Sequence, residues 1–180
     1  GEGGASTTDG KRNRVINGVP DWVYQEEFGI LNSLRWSADG STLAFIRFDE
    51  SEVPMYSMEL YEGACKPNEA YALYPGRFDF KYPVAGEKNS VVSVLAWNEA
   101  SGELRKMALP IGDEHYVPHI DFAPQGERLM VSTLNRTQND LRIYSVNPLT
   151  GDATAVYAEQ SDSWIDPETP NGVQYYDSFF

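Results

Sequence analysis

Hydrophobic positions along this chain recur with a period of two. Leu43, Phe45 and Arg47 alternate with Thr42, Ala44 and Ile46, and β-rich runs of the same kind occupy 90–97, 128–134 and 141–146. Each run is bounded by turn chemistry: Ala38-Asp39-Gly40, Ala100-Ser101-Gly102, Pro124-Gln125-Gly126 and Leu149-Thr150-Gly151 put glycine where a tight turn needs positive φ. The pattern predicts a mostly β fold of short antiparallel strands.

The turns repeat. Trp36-Ser37-Ala38-Asp39-Gly40 followed by Leu43-Ala44-Phe45 recurs as Phe122-Ala123-Pro124-Gln125-Gly126 followed by Leu129-Met130-Val131. Trp97-Asn98-Glu99-Ala100-Ser101-Gly102 likewise recurs as Val146-Asn147-Pro148-Leu149-Thr150-Gly151, 49 residues later. Taken in order, these hairpins make two four-stranded units, the signature of a bladed repeat. From Phe122 to Gly151 is 29 residues, whereas from Trp36 to Gly102 is 66, so the first unit carries about 37 extra residues. They fall at about 50–88, between its second and third strands, and an insertion of that length is usually functional, as a lid, an arm or an interface. The expected fold is all-β: a partial β-propeller of four-stranded antiparallel blades with one short helix and a long inter-strand insertion. The expected division is 1–16 as the end of a preceding blade, 17–29 as a short helix, 30–110 and 111–160 as two blades, and 161–180 as the start of another. On periodicity alone a β-sandwich stays open.

The helix is predicted over 17–29. Pro20 suits a first helical position, Asp21 complements the N-terminal dipole, and Gly29 is a natural stop. On a 3.6-residue period Val19, Trp22 and Val23 form an apolar stripe, and Glu26 and Glu27 are the next positions on it. Two adjacent carboxylates in a last turn repel each other and oppose the macrodipole. They suit one ligand well: a primary ammonium, with three N–H donors and one positive charge. From composition alone, an ordinary solvated Glu-Glu pair stays open.

Charge changes the picture of partners. The chain has 180 residues, 14 Lys+Arg against 27 Asp+Glu and a net charge of −13, which argues against nucleic acid or an anionic membrane surface and in favour of a cationic ligand. Its 41% hydrophobic fraction and abundant aromatics are those of a folded protein. There is no run of 18 apolar residues and no leader at Gly1, so any membrane span or signal is expected outside these residues. Cys65 is the single cysteine, which excludes an intramolecular disulfide.

The segment Asp21-Trp22-Val23-Tyr24-Gln25-Glu26-Glu27-Phe28 resembles the D-W-V-Y-E-E-E-x-F helix of the dipeptidyl peptidase IV family. Further runs resemble that family's propeller in the same order: Leu34-Arg35-Trp36-Ser37 with Leu43-Ala44-Phe45, then Phe48-Asp49-Glu50-Ser51-Glu52-Val53-Pro54, then Tyr82-Pro83-Val84-Ala85-Gly86-Glu87-Lys88-Asn89-Ser90, and Thr133-Leu134-Asn135-Arg136-Thr137-Gln138-Asn139. The resemblance covers roughly 16–166. It implies a serine exopeptidase that releases an N-terminal X-Pro or X-Ala dipeptide, with Glu26 and Glu27 holding the substrate's free amino terminus. Gln25 departs from the first Glu of the family's triplet and leaves the anchoring pair intact. The resemblance also implies a C-terminal α/β-hydrolase domain of the same protein, an extracytoplasmic location, no cofactor, and a homodimer formed through the 50–88 insertion, whose Met55, Tyr56, Met58, Leu60 and Tyr61 suit an interface. A non-catalytic propeller that binds a protein partner is the alternative.

Other signals carry less. No Gly-x-Ser-x-Gly elbow occurs, so no catalytic residue is expected in these residues. His115 and His119 are four apart, but Pro118 argues against a helix and hence against a metal pair. Asp49-Glu50-Ser51-Glu52 lacks EF-hand spacing and reads as a solvated loop. Asn135-Arg136-Thr137 is a formal glycosylation sequon.

Overall fold

The computed structural model describes residues 6–60, 76–124 and 126–165, which form eleven strands and one helix. The strands fall into two large antiparallel sheets and a separate hairpin. The first sheet is built on β3 (Thr42–Asp49), which pairs along its whole length with β6 (Val91–Asn98), from Thr42↔Asn98 to Asp49↔Val91. β7 (Leu104–Lys106) follows outside β6. As the central strand, β3 is covered on both faces: Thr42, Ala44, Phe45, Ile46 and Phe48 are all buried, so the expected alternation survives only in part.

The inner edge of this sheet is one strand broken in two. β1 (Val15–Asn17) pairs with the far half of β3, and β2 (Leu34–Trp36) with its near half. Between them Gly18 N–H donates to Ile46 O at 2.9 Å, Ile46 N–H donates to Ser33 O at 2.9 Å, and Ser33 N–H donates to Gly18 O at 3.2 Å. Residues 19–32 are thereby pinched off as an excursion from the innermost strand, and the helix α1 (Trp22–Glu27) lies within it. The expected boundary at residue 16 therefore falls inside the first blade, because Val15 and Ile16 pair with Asp49 and Phe48 of the same sheet.

The second sheet is a four-stranded meander, β8 (His115–Phe122), β9 (Leu129–Asn135), β10 (Asp140–Val146) and β11 (Ala153–Gln160). Its inner strand β8 packs against β2, β3 and β6 of the first sheet. One apolar core joins both sheets and the helix, with Phe48, Val94, Val117, Leu129 and Leu141 withdrawn from water. Each such side chain contributes roughly 1.5–3 kcal/mol, so the two blades and α1 stabilise one another.

The repeated turns have the same hydrogen bonds. Gly40 N–H donates to Ser37 O and Gly126 N–H to Ala123 O, while Gly102 N–H donates to Asn98 O and Gly151 N–H to Asn147 O. The insertion leaves the first sheet after β3 and returns at β6, where the spacing predicted it. Its described part is a two-stranded hairpin, β4 (Met55–Leu60) with β5 (Gly76–Lys81), in register from Met55↔Lys81 to Leu60↔Gly76. Met55, Tyr56, Met58 and Phe78 lie exposed on it. Tyr61 and Cys65 lie outside the described residues.

Candidate functional site

The helix is shorter than its pattern predicts, and it starts differently. Asp21 is the N-cap itself: its backbone is extended and its Oδ1 accepts the Tyr24 N–H at 3.0 Å. Pro20 therefore precedes the cap, and the first helical residue is Trp22. At the other end Gly29 turns away in the left-handed region, φ 63°, and Ile30 N–H returns to Tyr24 O at 3.0 Å.

The buried face of α1 is rotated from the expected stripe. Val23, Tyr24 and Phe28 are buried, whereas Val19 is 55% exposed. Tyr24 sets this rotation. Its ring packs on Phe48 at 4.8 Å and Phe28 at 5.2 Å, and its hydroxyl accepts the backbone N–H of Val117 at 2.8 Å. Glu26 and Glu27 consequently do not continue an apolar stripe. They project from the solvent side of the last turn, both exposed. Among the described residues neither carboxylate has a hydrogen-bond or ion-pair partner. Gln25 is turned back, its amide donating to Pro20 O at 2.8 Å.

Glu27 stands at the rim of a cleft between α1 and the root of the hairpin. Trp22, Tyr82, Val84 and Tyr116 form its apolar wall, and Arg136 and Gln138 its polar side. Trp22 and Tyr82 stack with centroids 4.3 Å apart, which ties the helix to the returning segment of the insertion. Arg136 is held in place by Glu114, at 2.8 Å, and by the Glu87 carbonyl. The Arg136 guanidinium keeps the Glu114 carboxyl below the usual carboxylate range.

The family model described as the dipeptidyl peptidase IV (DPP IV) N-terminal region matches residues 3–179. The chain belongs to the dipeptidyl peptidase IV family. It is 33% identical over 171 residues to "Probable dipeptidyl-aminopeptidase B" of Talaromyces marneffei, covering 89% of this chain and 19% of that protein. It is 31% identical to dipeptidyl peptidase 4 of Arthroderma otae, covering 90% and 22%. Among solved structures, dipeptidyl peptidase 4 of Porphyromonas gingivalis matches with a TM-score of 0.82 at 41% identity, over 93% of this chain and 24% of that one. The chain thus spans about a fifth of the length of the curated relatives it matches.

Within this dipeptidyl peptidase IV N-terminal region, the structure also places the remaining sequence signals. His115 Nδ1 accepts the Gly112 N–H at 3.2 Å, while His119 is buried in β8 beyond a bulge. In the sequon, the Asn135 side chain is consumed by its own turn: Oδ1 accepts from the N–H groups of Asn139 and Asp140, and Nδ2 donates to Thr137 and Asn139. Glu50, read from sequence as part of a solvated loop, is only 6% exposed. Its neighbours arrive from positions far apart in the chain, so period and motif gave no sign of it.

Proposed function

We propose that this chain is the propeller, or lid, portion of a dipeptidyl peptidase IV-like serine exopeptidase, and that Glu26 and Glu27 anchor the substrate's free N-terminal ammonium. The observation that carries the reading is the pair of exposed carboxylates, without a partner among the described residues, at the end of a helix looped out of the innermost strand. An ammonium placed between them gains charge-assisted hydrogen bonds of about 1.5–3 kcal/mol each. Among the described residues neither carboxylate has a protein partner to give up when it receives the ammonium.

The anchor works as a ruler. With the amine fixed, the second peptide bond is presented at a constant distance to a hydrolase domain of the same protein, and binding energy is used for positioning. A Pro or Ala at the second position, an extracytoplasmic location and a homodimer are carried by the family resemblance. The exposed Met55, Tyr56, Met58 and Phe78 of the hairpin support the 50–88 insertion as the dimer arm.

The test uses the full-length parent protein. Glu26→Ala and Glu27→Ala are each expected to lower kcat/KM for H-Gly-Pro substrates by about tenfold or more, ~1.4 kcal/mol of lost transition-state stabilisation. Values within about threefold of wild type, under ~0.7 kcal/mol, contradict the anchor, and a full-length protein with no turnover of such substrates favours the non-catalytic binding module.

A further inference from the structure

The long insertion and the helix α1 share a single buried root. The chain leaves the first sheet at Glu50 and re-enters it after Ser90; the two residues are buried opposite one another just past the Asp49↔Val91 end of the β3–β6 ladder, and Asp21, the buried N-cap of α1, bonds Ser90. Ser90 Oγ donates to Asp21 Oδ2 at 2.6 Å, while Oδ1 is occupied by the Tyr24 N–H at 3.0 Å. Asp21 therefore has both oxygens engaged and only 5% of its surface exposed. Glu50 brings a second carboxyl into this junction. Its backbone is pinned, the N–H donating to Arg14 O at 2.8 Å and the carbonyl accepting the Val53 N–H at 3.0 Å. Lys81 of β5 acts on the Glu50 charge, but its Nζ donates to the Val53 carbonyl at 2.6 Å and the Ser51 carbonyl at 3.4 Å.

Two buried carboxyls that repel one another cannot both be ionised cheaply. Asp21 has donors to stabilise its charge, whereas among the described residues no hydrogen bond reaches the Glu50 side chain. The proton accordingly resides on Glu50. We propose that Glu50 is a positioning residue for the amine-anchoring carboxylates: it holds a proton beside Asp21, and losing that proton unsettles the N-cap on which Glu26 and Glu27 are carried. This rests on the anchoring role given above.

The electrostatics agree in direction. Burial first, then the charge of Asp21, push Glu50 up to about 7, against the opposing pull of Lys81 and with a further push from Asp49. Burial also raises Asp21, with Ser90 and the backbone N–H of Tyr24 pulling it back down. The sign follows. A carboxyl raised from 4.5 to about 7 contributes stability that is complete below 4.5 and is lost as the pH rises through about 7. The junction is thus firm in mild acid and strained in mild alkali.

The test compares Glu50→Gln, a neutral isostere, with wild type in the full-length parent protein, using an H-Gly-Pro chromogenic substrate across pH. Taking the ratio of the two KM values cancels the titration of the substrate amine and of the hydrolytic machinery. The ratio of wild-type to variant KM is expected near one at about pH 6 and about threefold or more at about pH 8.5, with kcat little changed. Asp21→Asn, which keeps a capping side chain but removes the charge, is expected to move the onset of this rise to lower pH. A ratio that stays flat overturns the proposal, including the case where the melting midpoint of Glu50→Gln still gains on wild type with rising pH, since that is a buried acid with no hold on the anchor. A flat ratio with Glu27→Ala still impaired sinks the junction alone. An unimpaired Glu27→Ala sinks the anchoring role itself.

Discussion

Tyr24 fixes α1 through both ends of its side chain. The ring fills the space between Phe48, Phe28 and Tyr116, and the hydroxyl accepts the backbone N–H of Val117, which lies within the register shift of β8. Tyr24→Phe keeps the ring and strands the Val117 N–H, a buried donor without its partner, which costs about 1–3 kcal/mol. A melting midpoint unchanged from wild type would contradict this. At this scale the sequence was legible where chemistry is local. Asp21 as a helix-start residue and Glu26 and Glu27 as adjacent acids in the last turn of a short helix follow from a short segment. The rotation of α1 does not, because the hydroxyl that sets it bonds a residue 93 positions away. The same holds for the junction, where Ser90 reaches Asp21 across 69 positions.

The strands and turns were read more completely, because a tight turn is decided by a handful of neighbouring residues. Asn98 and Asn147 each accept the amide of the glycine four residues on, as the repeated sequence implied. The two glycines nevertheless differ in surroundings. Gly102 has φ 68° with open space where a Cβ would stand, whereas at Gly151, φ 85°, a Cβ would come within 3.1 Å of the Lys106 carbonyl of the neighbouring blade. Gly151 O also accepts the Ala108 N–H at 2.8 Å, so the turn is a contact between blades. Gly102→Ala should cost about 1 kcal/mol from the left-handed backbone alone. Gly151→Ala should cost about 1–3 kcal/mol more, because backbone has to shift. Equal losses in melting midpoint for the two variants would contradict the packing seen at Gly151. The divided inner strand was not legible. β1 and β2 have three residues each, too few for a period to register.

At the scale of the molecule, the fold explains how the proposed anchor can be carried off the blades. The sheets stack through their inner strands into one core, and α1 is a detour from the innermost strand held by Gly18, Ser33 and Ile46. A detour of this kind places side chains beyond the edge of the sheet without disturbing its pairing, so two like charges can be carried there while the core is undisturbed. The charge balance fits, since a chain of net charge −13 attracts a cationic terminus before any contact is made. The most direct measurement of the anchor is the preference of the full-length parent protein for H-Gly-Pro over the same substrate with its amine replaced by hydrogen. Wild type should favour the free amine in kcat/KM by at least about a hundredfold, and Glu26→Gln with Glu27→Gln together should reduce that preference to within about threefold. A preference that survives intact in the double variant would contradict the account.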